Sequence, residues 1–108
     1  MTIGRIALIV AMVFAATACS KSRAELEQEY ISACIMMGEH AQPICECAAS
    51  KAGNELSPES FELLVVTMQG NEKRAARLRD RAGIVNIMAA GTFMIDGPTR
   101  CSWEVGVR

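Results

Sequence analysis

The chain has 108 residues with twelve acidic and eleven basic side chains, one histidine and five cysteines, and half of it is apolar. A net charge of −1 leaves no cationic excess for nucleic acid, and the length suits one small domain rather than two. With one histidine, no nucleophile elbow and no glycine-rich phosphate loop, the residues point away from an enzyme and imply no cofactor.

At the amino terminus, Arg5 precedes an unbroken apolar run from Ile6 to Phe14, and small residues follow as far as Ala18. That is the layout of a secretory signal peptide. The stretch from Ile6 to Ala18 falls short of the roughly 20 apolar residues that cross a bilayer, and no later segment qualifies. Ala16-Thr17-Ala18 fits an ordinary cleavage site, yet Cys19 follows directly, and Ala16-Thr17-Ala18-Cys19 resembles the lipobox of bacterial lipoproteins. The match holds at the small positions and the cysteine and departs at Ala16, where leucine is usual. The resemblance implies a diacylglycerol on the Cys19 thiol, cleavage before it, and a palmitate-type acyl chain on the new amino terminus. Ser20, in place of the aspartate that resembles an inner-membrane retention signal, favours the outer membrane.

Cysteine arithmetic agrees, because lipidation of Cys19 leaves Cys34, Cys45, Cys47 and Cys101, an even number for an oxidising compartment. The expected organisation is a signal peptide over 1–18, a lipidated tether over 19–22 and one helical domain over 23–108. About 90 residues remain after cleavage, near the size at which a hydrophobic core alone gives thin stability.

From Arg23 to Met37, Leu26, Tyr30, Ala33, Cys34 and Met37 recur at helical spacing, and Gly38 stops the helix. Pro43 suits the first turn of a second helix running to about Ala52, ended by Gly53-Asn54. Ser57 caps a third, with Pro58 and Glu59 in its first turn and Leu56 placed to staple Phe61; Leu64, Val65 and Met68 continue its stripe to Gly70. Asn71 caps a fourth, in which Ala75, Leu78, Ala82, Val85, Ala89 and Thr92 form one stripe, with a bend expected at Gly83. The tail contains the turn signal Gly97-Pro98. The fold class is therefore all-α: a small four-helix domain stapled by two disulfides, with an irregular C-terminal segment.

On a helix Cys45 and Cys47 point about 200° apart and serve different partners. If Ile44, Cys47 and Ala48 face the first helix, Cys47 meets Cys34 and Cys45 meets Cys101; the swapped pairing, Cys34 with Cys45 and Cys47 with Cys101, stays open. A metal alternative gathers Met36, Met37, His40, Cys45 and Cys47, donors that suit soft ions such as Cu(I). Zinc and thioredoxin-like chemistry lack the required C-x-x-C spacing. In "NEKRAARLRDR", Lys73, Arg74, Arg77 and Arg81 share one face, either solvated or a contact for anionic lipid, cell-wall polymer or an acidic partner.

The segment from Tyr30 to Leu64, with Cys34, Cys45-x-Cys47 and Leu56-Ser57-Pro58-Glu59, resembles small exported helical proteins of Gram-negative bacteria. That resemblance implies export, disulfides and helices and transfers no catalytic residue. The expected function is a non-enzymatic cell-envelope lipoprotein, an interaction or structural module anchored to the outer membrane and facing the periplasm, with an envelope protein or polymer as partner. The alternative is a soluble periplasmic protein, released behind Ala18, that binds a metal or small ligand.

Overall fold

A computed structural model describes residues 21–106; the expected signal peptide, Cys19 and the last two residues lie outside the described residues. Among the described residues five helices follow one another: α1 Arg23–Met37, α2 Gln42–Glu55, α3 Pro58–Met68, α4 Glu72–Ala82 and α5 Ile84–Glu104. The all-α, two-disulfide domain expected from the sequence is present.

Local chemistry sets most of the helix ends. Ser22 caps α1 by accepting from the Glu25 N–H at 3.2 Å, and Gly38 ends it at φ 72°, a left-handed conformation that costs a residue without Cβ little. Ser57 accepts from the Ser60 N–H at 3.1 Å to start α3, and Asn71 Oδ1 from the Arg74 N–H at 3.2 Å to start α4. The chain extends α2 three residues past Ala52, through Gly53. Gly53 has no side chain, so Arg23 lies across it and donates to Asn54 Oδ1 at 2.8 Å, tying down the last turn.

Two departures from the expected layout concern the C-terminal third. The long fourth helix is two helices, because Gly83 stands at φ 81° between them and Asn86 Nδ2 donates to the Ala82 carbonyl at 2.8 Å, capping α4 from the far side of the break. The irregular tail is instead the second half of α5, which continues through Gly97 and Pro98. Proline inside a helix removes a donor and costs about 3 kcal/mol. Here tertiary ties outweigh that cost: Cys101 is bonded to Cys47, and Arg100 grips Glu55 through two hydrogen bonds of 2.6 and 3.0 Å. Gly97 earns its place by leaving room for the Phe93 ring, which a Cβ there would strike.

The core sits around α3, whose Phe61, Leu63, Leu64, Val65 and Val66 are all buried, so this helix is enclosed on more than one face by α1, α4 and α5. Ala48, Ala49 and Ala52 of α2 are fully buried, and their small side chains let α1 and α5 approach. Leu56, partly buried, packs against this core. Buried Ser60 donates to Asn86 Oδ1 at 2.9 Å, as does Ser57. This polar knot joins the start of α3 to the start of α5.

Tyr30 stands at the centre of an aromatic row, edge-on to Phe61 at 6.4 Å and to Phe93 at 6.5 Å between ring centroids. Burial pushes its hydroxyl from the ordinary 10.0 up to about 12. A folded-state value raised above the unfolded one contributes stability that is whole below pH 10 and lost as pH climbs towards 12, on the order of 3 kcal/mol in all. As Tyr30 is the chain's one tyrosine, phenolate absorbance reports it alone. Ionisation near pH 12 in the folded protein and near 10 after unfolding is expected; coincident curves would show that the ring is not sealed from water.

Candidate functional site

The structure chooses between the two disulfide pairings left by the sequence. Cys34 bonds Cys45 and Cys47 bonds Cys101, with Cα–Cα distances of 5.7 and 5.9 Å. The pairing of Cys34 with Cys47 and Cys45 with Cys101 is thereby corrected. The reason lies in which stripe of α2 is buried: Ile44, Cys45, Ala48, Ala49 and Ala52 form one inward face, so Cys45 meets α1, while Cys47 lies half-buried on the flank towards α5. As anticipated from the 200° offset, the two cysteines serve different partners.

This bonding removes both thiolates from the metal alternative. His40 is exposed in the turn after α1, and Met36 projects almost wholly into solvent. Glu104 lies close to the Cys47–Cys101 pair, its Oε2 3.7 Å from Cys47 Sγ, but the bridged sulfurs offer no thiolate to an ion. What the fold does bring together was not visible in the sequence. Met37, Met68 and Met94, from α1, α3 and α5, line one groove of about 440 Å³ with His40, Tyr30 and Pro98. Met36 lines a second groove with Met37 and Met68. A third groove, of about 640 Å³, is lined by His40, Ile44 and Trp103 among others.

The four cations singled out on α4 do not act alike. Arg74 donates to Glu62 on α3 at 2.7 Å, so its charge is largely spoken for. Lys73, Arg77 and Arg81 are exposed, and among the described residues none of the three makes an ion pair. Glu29, where α1 passes the end of α3, is pushed up by burial, but the Lys21 ammonium at 2.7 Å, the Gln69 amide at 3.3 Å and the charge of Arg74 together hold its carboxyl below the ordinary range.

The exposed face of α5 differs from the expected stripe. Val85 and Thr92, assigned inward with Ala89, point to solvent or its margin; the buried side of α5 is Ala90, Phe93, Gly97 and Cys101. Opposite it lie Ile84, Val85, Met88, Ile95 and Trp103, exposed to 68, 77, 64, 77 and 83 %. At 100° per residue these five fall within about 100° of one another and run about 28 Å along the helix. No charged residue occurs from Ile84 to Ile95. Of the two acids at its margin, Glu104 pairs with Lys51 at 3.0 Å, while Asp96 lies 2.9 Å from an Arg100 guanidinium that it shares with Glu55. The signal was present in the sequence as a helix apolar on both sides, which one stripe cannot describe.

These features define a small helical domain of an oxidising environment, with no described helix long and apolar enough to cross a membrane. Comparison with protein-family models, curated proteins and solved structures finds no match to this chain.

Proposed function

We propose that this chain is a non-enzymatic cell-envelope lipoprotein, held to the outer membrane by lipid on Cys19, whose helical domain is an interaction or structural module in the periplasm. One observation carries the second half of this proposal: a domain stapled by two disulfides keeps its longest helix half uncovered and apolar. Soluble monomers rarely leave so continuous an apolar strip to water unless something docks there. The lipobox-like Ala16-Thr17-Ala18-Cys19 supports the anchor. A mass spectrum of the mature amino-terminal peptide tests it: Cys19 should carry diacylglycerol and an amide-linked acyl chain, and globomycin should block maturation. Two or three chains anchor stably, so the protein should fractionate wholly with membranes. A free Cys19 thiol on a soluble protein would reject the lipoprotein.

The second proposal, a soluble periplasmic binder of a metal or small ligand, draws on the methionine groove. With every described cysteine oxidised, thioethers and the His40 imidazole are the soft donors left, which suits Cu(I). Titration with Cu(I) against a chromogenic competitor should give one equivalent bound, lost on replacing Met37, Met68 and Met94 with leucine. Equal uptake by the leucine variant would reject this groove as a site.

A further inference from the structure

We infer that the basic face of α4 and the outer face of α5 form one contact surface for the anionic phospholipid bilayer in which the protein is anchored, so that the domain lies against the membrane rather than swinging above it. This names the occupant of the uncovered helix and rests on the lipid-anchored assignment of Cys19.

Three observations choose a bilayer over a protein partner. The first is where the chain leaves the domain. Lys21 stands two residues from Cys19, a span of at most about 7 Å. Its ammonium meets Glu29 at 2.7 Å, and Gln69, at the end of α3, donates to the same carboxylate oxygen at 3.3 Å. The tether therefore departs beside the corner where α3 hands over to α4. The second is charge. The α4 sequence "EKRAARLRDRA" carries five cations against two acids, and Lys73, Arg77 and Arg81 have no acidic partner among the described residues. Beside a lipid anchor they meet acidic head groups at a high local concentration, so weak individual attractions suffice. The third is continuity. Only Gly83 separates Arg81 and Ala82 from Ile84 and Val85, so the basic helix is followed directly in the chain by the apolar one. Trp103 near its far end is the residue type that favours the head-group layer, and Glu104 beside it is already paired with Lys51.

The chain's single tryptophan lies in this surface, so its fluorescence reads the contact without a label. The mature lipidated protein is reconstituted in vesicles of phosphatidylethanolamine and phosphatidylglycerol, with or without brominated acyl chains. Trp103 emission should shift to the blue and be quenched by brominated lipid, as expected for a ring at the head-group boundary. Met88→Glu with Ile95→Glu, at exposed positions that leave the core intact, should return the emission to that of water. Lys73→Gln with Arg77→Gln and Arg81→Gln should weaken quenching in anionic vesicles and change it little in neutral ones. If the mass spectrum confirms lipid on Cys19 yet Trp103 stays unquenched, the contact surface is wrong and the anchor stands. If Cys19 carries no lipid, the same vesicles added to the lipid-free protein decide the matter: quenching keeps the surface, and its absence ends it. Emission already blue-shifted without vesicles, with a dimer mass by light scattering, would assign the face to a second copy and overturn the proposal.

Discussion

Replacing Cys47 and Cys101 together with alanine should cost the domain about 4 kcal/mol, replacing Cys34 and Cys45 about 3 kcal/mol, and removing all four should leave no cooperative unfolding transition. The first two values follow from the loops closed, with sequence separations of 54 and 11. At about 0.05 to 0.15 kcal/mol per residue, a domain of this size has about 4 to 13 kcal/mol in total, so the sum consumes most or all of it. The two bridges should also fail in different ways. Cys34 and Cys45 are buried in the core, whereas Cys47 is half-buried on a flank, so a thiol reductant should open Cys47–Cys101 first. That bridge holds the part of α5 beyond Pro98, and its loss should fray those turns before the rest melts. Alkylation and mass mapping during stepwise reduction read the order, and denaturant titration reads the cost. A four-alanine variant with the native circular dichroism spectrum and melting point would show that the core suffices without its staples.

Where backbone chemistry is local, the sequence was enough. Ser57, Asn71 and Gly38 set helix ends by bonds and dihedral angles that involve only their neighbours, and each is found where the residue types place it. The two bridges likewise match the four cysteines that remain when Cys19 is set aside. What failed depended on the tertiary structure. Gly97-Pro98 signals a turn in isolation and becomes helix because Cys101 and Arg100 fasten the following residues to α2. The choice of pairing turned on which side of α2 is buried, and with alanines on both sides of it periodicity could not decide. Across Gly83 a single stripe was carried from α4 into α5, but the left-handed glycine resets the phase, placing Phe93 inward and Val85 outward. The groove of Met37, Met68 and Met94 joins residues far apart in sequence, for which no spacing rule exists. The basic patch was legible as a face, although not the capture of Arg74 by Glu62.

Among single substitutions, Tyr30→Ala should be among the most damaging, lowering stability by about 3 to 5 kcal/mol, while Tyr30→Phe should cost about 1 kcal/mol or less. The ring is the contact that α1 makes with both Phe61 of α3 and Phe93 of α5, each edge-on, and such pairs add about 0.5 to 1.5 kcal/mol beyond burial. Its removal leaves a cavity that the neighbours cannot close easily. Phe61 belongs to the enclosed helix α3. Phe93 also meets the Arg100 guanidinium, 6.0 Å from its centroid, and that guanidinium lies against Glu55 and Asp96. The hydrogen bond from Arg100 also holds the Glu55 carboxyl below its ordinary range, and the carboxylates beside Arg100 raise that guanidinium further, so the clamp stays charged at neutral pH. For Glu55, a depressed value means support that is present at neutral pH and is lost as acid protonates it, so the phenylalanine variant should keep the wild-type acid sensitivity. Combined with loss of the Cys47–Cys101 bridge, Tyr30→Ala should unfold the domain at room temperature, because the summed cost of about 7 kcal/mol or more reaches the stability expected at this size. Denaturant titration of the alanine, phenylalanine and combined variants measures each step. A midpoint for Tyr30→Ala equal to that of Tyr30→Phe would mean that the hydroxyl rather than the ring carries the contact, and the aromatic row would lose its place as the centre of the core.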